Sequence, residues 1–205
     1  MVGGPGRPVE ERELRARGVE TMHRLLRAGV TVFGEQGLHA ARVDDIVEAA
    51  ETSHGTFYRY FASKEDLFRA LTTDVADRLG DLADSLGPIG PGPEGAAELR
   101  AWVARFREVY DQYGTVIQTW TEAEQDTSPE GRLGTDVLSQ FVARLAVRIR
   151  AAGIDGVDPD VAAVALVAMI ERLTYFAATG MVPASDDEVT DVLAKAAQRS
   201  LFGPT

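Results

Sequence analysis

Apolar residues recur along most of this chain at the three- and four-residue spacing of amphipathic helices. Glycine and proline clusters, such as residues 87–93, interrupt that spacing and predict loops. No segment of useful length alternates apolar and polar residues as a half-buried strand does. The sequence therefore predicts an all-α fold of about nine helices. They lie over residues 14–36, 43–50, 53–60, 63–82, 94–112, 114–126, 130–152, 159–179 and 186–202.

The first three predicted helices fit into some 45 residues, which are the proportions of a helix-turn-helix whose last helix enters the DNA major groove. Ser53 can cap that last helix, and Phe57 and Phe61 form its inward face. Gly55 costs about 1 kcal/mol there relative to alanine, a cost explained if the backbone lies against a base or a phosphate. The hydrogen-bonding groups of this segment are Thr52, Ser53, His54, Thr56, Tyr58, Arg59 and Tyr60.

The distribution of charge suggests two regions with different partners. The whole chain has a formal net charge of −11, yet residues 1–64 carry nine basic and nine acidic side chains and so are neutral. The first region can approach a polyanion, whereas the second repels it. We expect a flexible arm over residues 1–13, a DNA-binding domain over 14–62 and a larger helical domain over 63–205.

Composition also limits the location of the protein. The chain has no cysteine, and its first fifteen residues lack the apolar core of a secretory signal. The longest apolar stretch, Val161 to Ile170, is about half of the roughly 20 residues that span a bilayer, and Glu171 and Arg172 end it. We therefore expect a cytoplasmic protein with no membrane span.

At its N-terminal third the sequence resembles the TetR family of bacterial transcriptional regulators. The resemblance covers about 50 residues and includes the pattern Ser-x-Gly-Thr-x-Tyr-x-x-Phe-x-Ser-Lys. It implies a helix-turn-helix domain followed by a helical domain that binds a ligand and dimerises. The matching residues are Phe33, Gly37, Val43, Ile46, Ala50, Ser53, Gly55, Thr56, Tyr58, Phe61, Ser63, Lys64 and Leu67.

The resemblance also implies which side chains contact DNA. Tyr58, Tyr60 and Lys64 are expected at phosphates, and His54 and Arg59 at base edges. This chain departs from the family pattern at Arg42, at Tyr60 and in the turn Glu51-Thr52, where Glu51 either adopts a left-handed conformation or the turn differs. The complete set of expected DNA contacts is Arg42, Thr52, Ser53, His54, Gly55, Thr56, Tyr58, Arg59, Tyr60 and Lys64.

The C-terminal region contains both tryptophans and three of the five tyrosines. Most of these rings belong to the core, but within a domain that resembles a ligand-binding one they also predict a mostly apolar pocket. Gln118, Thr121 or Glu122 is expected to orient a small lipophilic or aromatic effector there. The candidate pocket residues are Trp102, Phe106, Tyr110, Ile117, Trp120, Met169, Leu173 and Phe176.

The predicted helix over 159–179 is apolar nearly all round, and the helix over 186–202 adds a second apolar face. Such helices need cover on more than one side, so two from each subunit can form a four-helix dimer interface. Together these features predict a homodimeric repressor that binds a palindromic DNA operator and is released by a ligand. No catalytic residue, metal site or cofactor is expected.

Two alternatives remain open from the sequence. One is a small helical enzyme that uses the carboxylates Glu122, Glu124 and Asp126 for acid-base chemistry. The other is a regulator of the same fold that acts by protein contact and binds no small molecule. A catalytic site in the fold favours the first, and a body without a cavity favours the second.

Overall fold

The computed structural model describes residues 9–122 and 129–203. Within these ranges the chain forms eight α-helices and no β-strand, which confirms the predicted all-α class. The helices are α1 (Val9–Ala40), α2 (Val43–Ala49), α3 (His54–Tyr60), α4 (Lys64–Asp84), α5 (Pro93–Glu122), α6 (Pro129–Ala151), α7 (Pro159–Ala178) and α8 (Asp186–Phe202).

The helix count is lower than expected because α5 runs through Gly114, where the sequence predicted a break. A Cβ atom at Gly114 would lie 2.8 Å from the Tyr110 ring, one turn earlier on the same helix. An interior glycine weakens a helix by about 1 kcal/mol, but here it makes room for an aromatic ring. The predicted break at Gly114 was therefore wrong.

The ends of the first helix also differ from the expectation. α1 begins at Val9, so residues 9–13 of the predicted arm are helical, and residues 1–8 lie outside the described part. The predicted stop at Gly37 coincides with non-helical backbone at that residue, with φ 74° and ψ 159°. Glycine adopts this left-handed φ without steric strain, so the chain can turn there before α2.

The chain divides into two compact units, Met1–Leu71 and Thr72–Thr205, and this boundary falls inside α4. In the first unit α2 packs against α1 and α3. Phe33 and Phe68 meet edge to face with ring centroids 5.6 Å apart, and Leu67 lies against Gly29. The predicted functional boundary at residue 62 stays a prediction.

The second unit has its own core, in which α5 packs against α8 and α6 against α7. Stacked and tilted rings connect Trp102, Phe141, Phe106 and Tyr110 with centroids 6.1–6.4 Å apart. Arg107 of α5 is buried, donates to the Thr190 hydroxyl over 2.9 Å and pairs with Asp186 of α8. The unit is therefore held by aromatic packing and by polar contacts between its helices.

The apolar helix α7 has a buried side and an exposed side. Ala163, Leu166 and Ile170 are buried, whereas Val161 is 67% exposed and Val164 is 56% exposed. Among the described helices, α7 alone is long and apolar enough, by length and composition, to cross a membrane. It packs against α6 and α8, and the absence of a membrane span stays a prediction.

Candidate DNA-binding surface and effector cavity

The recognition helix α3 begins where the sequence predicted, at the Ser53 cap. The Ser53 hydroxyl accepts a hydrogen bond of 3.2 Å from the Thr56 backbone N–H, satisfying one of the free donors of the first turn. Phe57 is fully buried and Phe61 nearly so, and their rings lie 5.9 Å apart. With these two rings inward, the opposite face of α3 is free to meet a partner.

The turn before α3 adopts the left-handed conformation that was one of the two expectations for Glu51. Its φ is 48°, the only positive φ of a non-glycine residue in the described part of the chain. The Thr52 N–H donates to the Val47 carbonyl over 2.9 Å and closes the turn. A residue with a side chain costs about 1–2 kcal/mol in the left-handed region of backbone conformation. This strained turn sets the direction in which α3 begins.

Most predicted DNA contacts have exposed or half-buried side chains on this first unit. Tyr58 is 56% exposed although its ring touches Phe57 edge to face. A Cβ at Gly55 would meet nothing closer than the Ser53 hydroxyl at 3.9 Å, so no other part of the chain requires a glycine there. The close approach of DNA to Gly55 stays a prediction.

A carboxylate that was not among the expected contacts connects two residues that were. Asp44 Oδ1 lies 2.6 Å from His54 Nε2, and Asp44 Oδ2 accepts a hydrogen bond of 3.2 Å from Arg42. Because a carboxylate only accepts, His54 Nε2 carries the hydrogen and Nδ1 remains for other partners. Asp44 lies in the first turn of α2, and its contact with a residue ten positions later leaves no periodic signal in the sequence.

Arg59 and Tyr60 form a second pair. The Arg59 guanidinium carbon lies 5.1 Å from the Tyr60 ring centroid, within the range of cation–π attraction. A Cβ at Gly18 of α1 would be 3.5 Å from the Tyr60 hydroxyl, so that hydroxyl lies close to α1. The half-buried Tyr60 thus supports Arg59, while its expected phosphate contact stays a prediction.

Lys64 has a structural task beside its expected phosphate contact. Its Nζ donates to the carbonyl oxygens of His39 and Ala41 over 2.9 and 2.8 Å. These bonds satisfy carbonyls at the end of α1 and fix the link to α2. An ammonium group has three hydrogens, so one remains for a phosphate.

The second unit has a half-open cavity of about 580 Å³ between α4, α5, α6 and α7. Its wall is mainly aliphatic and aromatic, which is the usual lining of a small-molecule site. The lining residues are Leu79, Phe106, Ile117, Leu138, Phe141, Val142, Val164, Val167, Ala168, Glu171 and Arg172.

A hydrogen-bonded chain of polar side chains ends at this cavity. Gln118 Nε2 donates to the Tyr110 hydroxyl over 2.9 Å, and that hydroxyl donates to Glu171 Oε1 over 3.1 Å. Burial raises the pKa of the Tyr110 phenol well above its ordinary value, and the neighbouring Glu171 charge adds to the shift. Tyr110 therefore keeps its proton and remains a donor to the carboxylate at neutral pH.

The expected pocket residues divide into two groups. Phe106 and Ile117 line the cavity, and Tyr110 and Gln118 reach it through Glu171. The other expected residues are absent from this wall, and Trp102 instead donates its indole N–H to the Leu82 carbonyl over 2.8 Å. Those not in the wall are Trp102, Trp120, Met169, Leu173 and Phe176.

The side chains of Thr121 and Glu122 and all of residues 123–128 lie outside the described part of the chain. The carboxylate cluster of the enzyme alternative, which includes Glu124 and Asp126, therefore has no described geometry. The observed cavity disfavours the other alternative, a regulator without a small ligand.

Comparison with known proteins finds a family match in the N-terminal part of the chain. Residues 25–71 match the family model described as bacterial regulatory proteins, tetR family. The uncharacterized HTH-type transcriptional regulator YdgC of Bacillus subtilis is 41% identical over 73 residues, which are 36% of this chain and 37% of YdgC. The HTH-type transcriptional regulator UidR of Escherichia coli K12 is 27% identical over 158 residues, 76% of this chain and 78% of UidR.

Solved structures extend the likeness to nearly the whole chain. A TetR-like transcriptional regulator from Rhodococcus sp. RHA1 has a TM-score of 0.67 at 24% identity, covering 90% of this chain and 97% of that one. The regulator FadR of Bacillus subtilis, solved in complex with stearoyl-CoA, has a TM-score of 0.64 at 16% identity, covering 89% and 99%. At these identities the likeness establishes the fold.

The match of residues 25–71 to the tetR family model confirms the resemblance carried by the N-terminal motif, and the solved structures confirm the fold. Its match to YdgC spans little more than a third of that curated relative, and its match to the regulator YvdT of the same organism spans 27% of YvdT. The relatives named here are transcriptional regulators.

Proposed function

We propose that this protein is a DNA-binding transcriptional regulator, a cytoplasmic repressor without catalytic activity that binds a palindromic operator as a homodimer. The observation that carries the proposal is α3, a seven-residue helix capped by Ser53, with Phe57 buried and its polar side exposed. A short helix with exposed His54, Tyr58 and Arg59 can present base-reading and phosphate-binding groups together.

The dimer is supported by the exposed apolar stripe of α7. Val161, Val164, Ala165 and Ala168 are exposed at helical spacing, and Val192 of α8 is 57% exposed. Contiguous apolar surface of this kind marks an interaction site in soluble proteins. A second copy of the same chain would cover the stripe, in the self-complementary manner of a two-fold interface.

A two-fold symmetric dimer predicts a palindromic operator with two half-sites. Two recognition helices related by two-fold symmetry read half-sites one helical turn apart, about 34–36 Å, in successive major grooves. The expected contacts are Arg42, Thr52, Ser53, His54, Gly55, Thr56, Tyr58, Arg59, Tyr60 and Lys64.

A small lipophilic effector is supported by the apolar cavity of about 580 Å³ in the second unit. The structural neighbour FadR was solved with stearoyl-CoA, a ligand with a long acyl chain. An effector that binds better to a state with the wrong half-site spacing weakens operator binding by shifting the population to that state.

In vitro selection from random duplex DNA tests this function directly. We expect enrichment of one inverted repeat, with an affinity for it that falls steeply as salt rises because phosphate contacts release counterions. Two matched variants, Arg59→Ala on α3 and Arg69→Ala on α4, each remove one positive charge. Comparing them separates the loss of a proposed base contact from the loss of a charge alone. Failure of the wild-type protein to enrich any repeat would refute the proposed function.

A further inference from the structure

The cavity wall contains two charged side chains with different surroundings. The Glu171 side chain is 11% exposed, whereas that of Arg172 is 55% exposed. The Arg172 guanidinium carbon lies 5.3 Å from the Tyr175 ring and 5.9 Å from the Phe176 ring, so it stacks on side chains of its own helix. The charge that is withdrawn from solvent at the cavity is therefore the carboxylate.

Of the two carboxylate oxygens of Glu171, only Oε1 accepts a hydrogen bond from a described residue, Tyr110. Oε2 has an ion pair with the Arg172 Nε at 3.7 Å, which is beyond hydrogen-bonding distance. No other hydrogen bond to Glu171 is found among the described residues. An ionised carboxylate held away from water is costly unless an opposite charge and further donors compensate it.

We propose that Glu171 makes the cavity selective for lipophilic cations, that is, hydrophobic amines and quaternary ammonium compounds. The cationic head meets the Glu171 carboxylate and the apolar body fills the space lined by Phe106, Ile117 and Phe141. Aromatic faces also attract such cations by the cation–π interaction. This assignment rests on the proposed effector role of the same cavity.

Other ligand classes fit this wall less well. A lipophilic acid brings a second negative charge next to Glu171, and a neutral lipophile brings no positive charge to Oε2, whose nearest cation is Arg172 at 3.7 Å. The cavity volume of about 580 Å³ is within the range for drug-sized ligands. Charge at the head group, and not size, is therefore the property by which this site discriminates.

Three probes that share one alkyl chain test the assignment: dodecyltrimethylammonium, dodecanol and dodecanoate, each used below its micelle concentration. Binding is measured by calorimetry on the full-length wild-type protein and on Glu171→Gln and Arg172→Gln. Glu171→Gln keeps the size and the acceptor oxygen for Tyr110, and Arg172→Gln removes the neighbouring exposed charge as a control. Circular dichroism checks that each protein is folded.

For the wild type we expect the cation to bind at least about tenfold tighter than dodecanol, the scale of an ion pair withdrawn from water. Glu171→Gln should abolish that preference, and Arg172→Gln should keep it. Tighter binding of dodecanoate than of the cation, or equal weakening of all three probes by Glu171→Gln, would overturn the assignment.

Operator binding, measured in the same samples, separates this inference from the proposed function. Glu171→Gln should bind the operator as the wild type does when no probe is present. Cation binding that leaves the operator complex intact would support the ligand class and overturn the effector role. A wild-type protein that shows no preference for the cation but still binds the operator would overturn the ligand class and leave the DNA-binding function standing.

Discussion

Two carboxylates, one in each unit, stand beside groups that we propose bind a partner, and they differ in burial. Asp44 contacts His54 and Arg42 on the DNA-binding surface with 57% of its side chain exposed, whereas only 11% of the Glu171 side chain is exposed at the cavity. Water and salt screen the exposed charge, so it can only adjust the affinity for DNA. The buried charge of Glu171 is screened much less by water and salt, so it can determine which class of ligand binds.

The largest effect on dimerisation and on operator affinity is expected for a new carboxylate placed in the exposed stripe of α7. Ala165→Glu puts a charge into the proposed dimer interface, where an unpaired buried charge costs about 3 kcal/mol or more. We expect a monomer in sedimentation velocity and a loss of operator affinity of over about 100-fold. Ala143→Glu on the exposed side of α6 is the control and should change neither. A wild-type protein that is monomeric at micromolar concentration contradicts the interface.

The next effect concerns how exposed groups share the reading of DNA. Arg59→Ala removes a base-reading candidate and should cost about 1–3 kcal/mol on the operator with little change on random DNA. Lys64→Ala should weaken binding to all sequences alike, and it should also lower the melting temperature because Lys64 bonds the carbonyls of His39 and Ala41. Gel shifts on operator and random duplexes measure both. An equal loss on the two DNAs for Arg59→Ala would remove its reading role.

A third change tests the strain next to the reading helix. Glu51→Gly places the residue that tolerates a positive φ at the turn where φ is 48°. We expect the free energy of unfolding to rise by about 1 kcal/mol, since relief of left-handed strain outweighs the greater flexibility of the unfolded chain. Chemical denaturation of wild type and variant measures it. Glu48→Gly, in the preceding helix, should instead destabilise the protein.

The smallest effect is expected at Asp44 itself. Asp44→Asn keeps an acceptor for His54 but removes a negative charge that DNA phosphates would otherwise approach. Affinity for any sequence should rise a few-fold at low salt and return toward the wild-type value as salt screens the surface. A salt titration on random DNA measures this change in affinity. Asp77→Asn, at an exposed position of α4, is the control. A rise that persists at high salt would point to a contact other than charge.

Local signals in the sequence predicted the first unit better than the second. The Ser53 cap and the left-handed option at Glu51 depend on residues within a few positions, so they are visible without a structure. Ser63 likewise accepts from the Asp66 N–H at the start of α4, a contact between residues only three positions apart. The contact between Asp44 and His54 bridges two helices, and no spacing rule indicates it.

In the second unit the decisive contacts are tertiary. Gly114 suggested a helix break, but the Tyr110 ring fills the space that this glycine leaves. The hydroxyl of Tyr110 donates to Glu171, which lies sixty-one residues later in the chain. Glu171 itself was taken only as the end of an apolar stretch. Trp120 was expected in the pocket, yet its indole ring covers Gly134, where a side chain would overlap it. Which ring lines a cavity depends on how the helices pack, and periodicity does not contain that information.

The two tryptophans of α5 give the protein a pair of distinguishable nuclear magnetic resonance reporters. The Trp102 indole N–H donates to the Leu82 carbonyl, whereas the buried Trp120 indole N–H has no hydrogen-bond partner among the described residues. Hydrogen bonding moves an indole proton downfield, so the two peaks should separate without mutagenesis. Eighteen residues of helix place the reporters about 27 Å apart along α5. A perturbation at one end of this helix can thus be followed independently of the other.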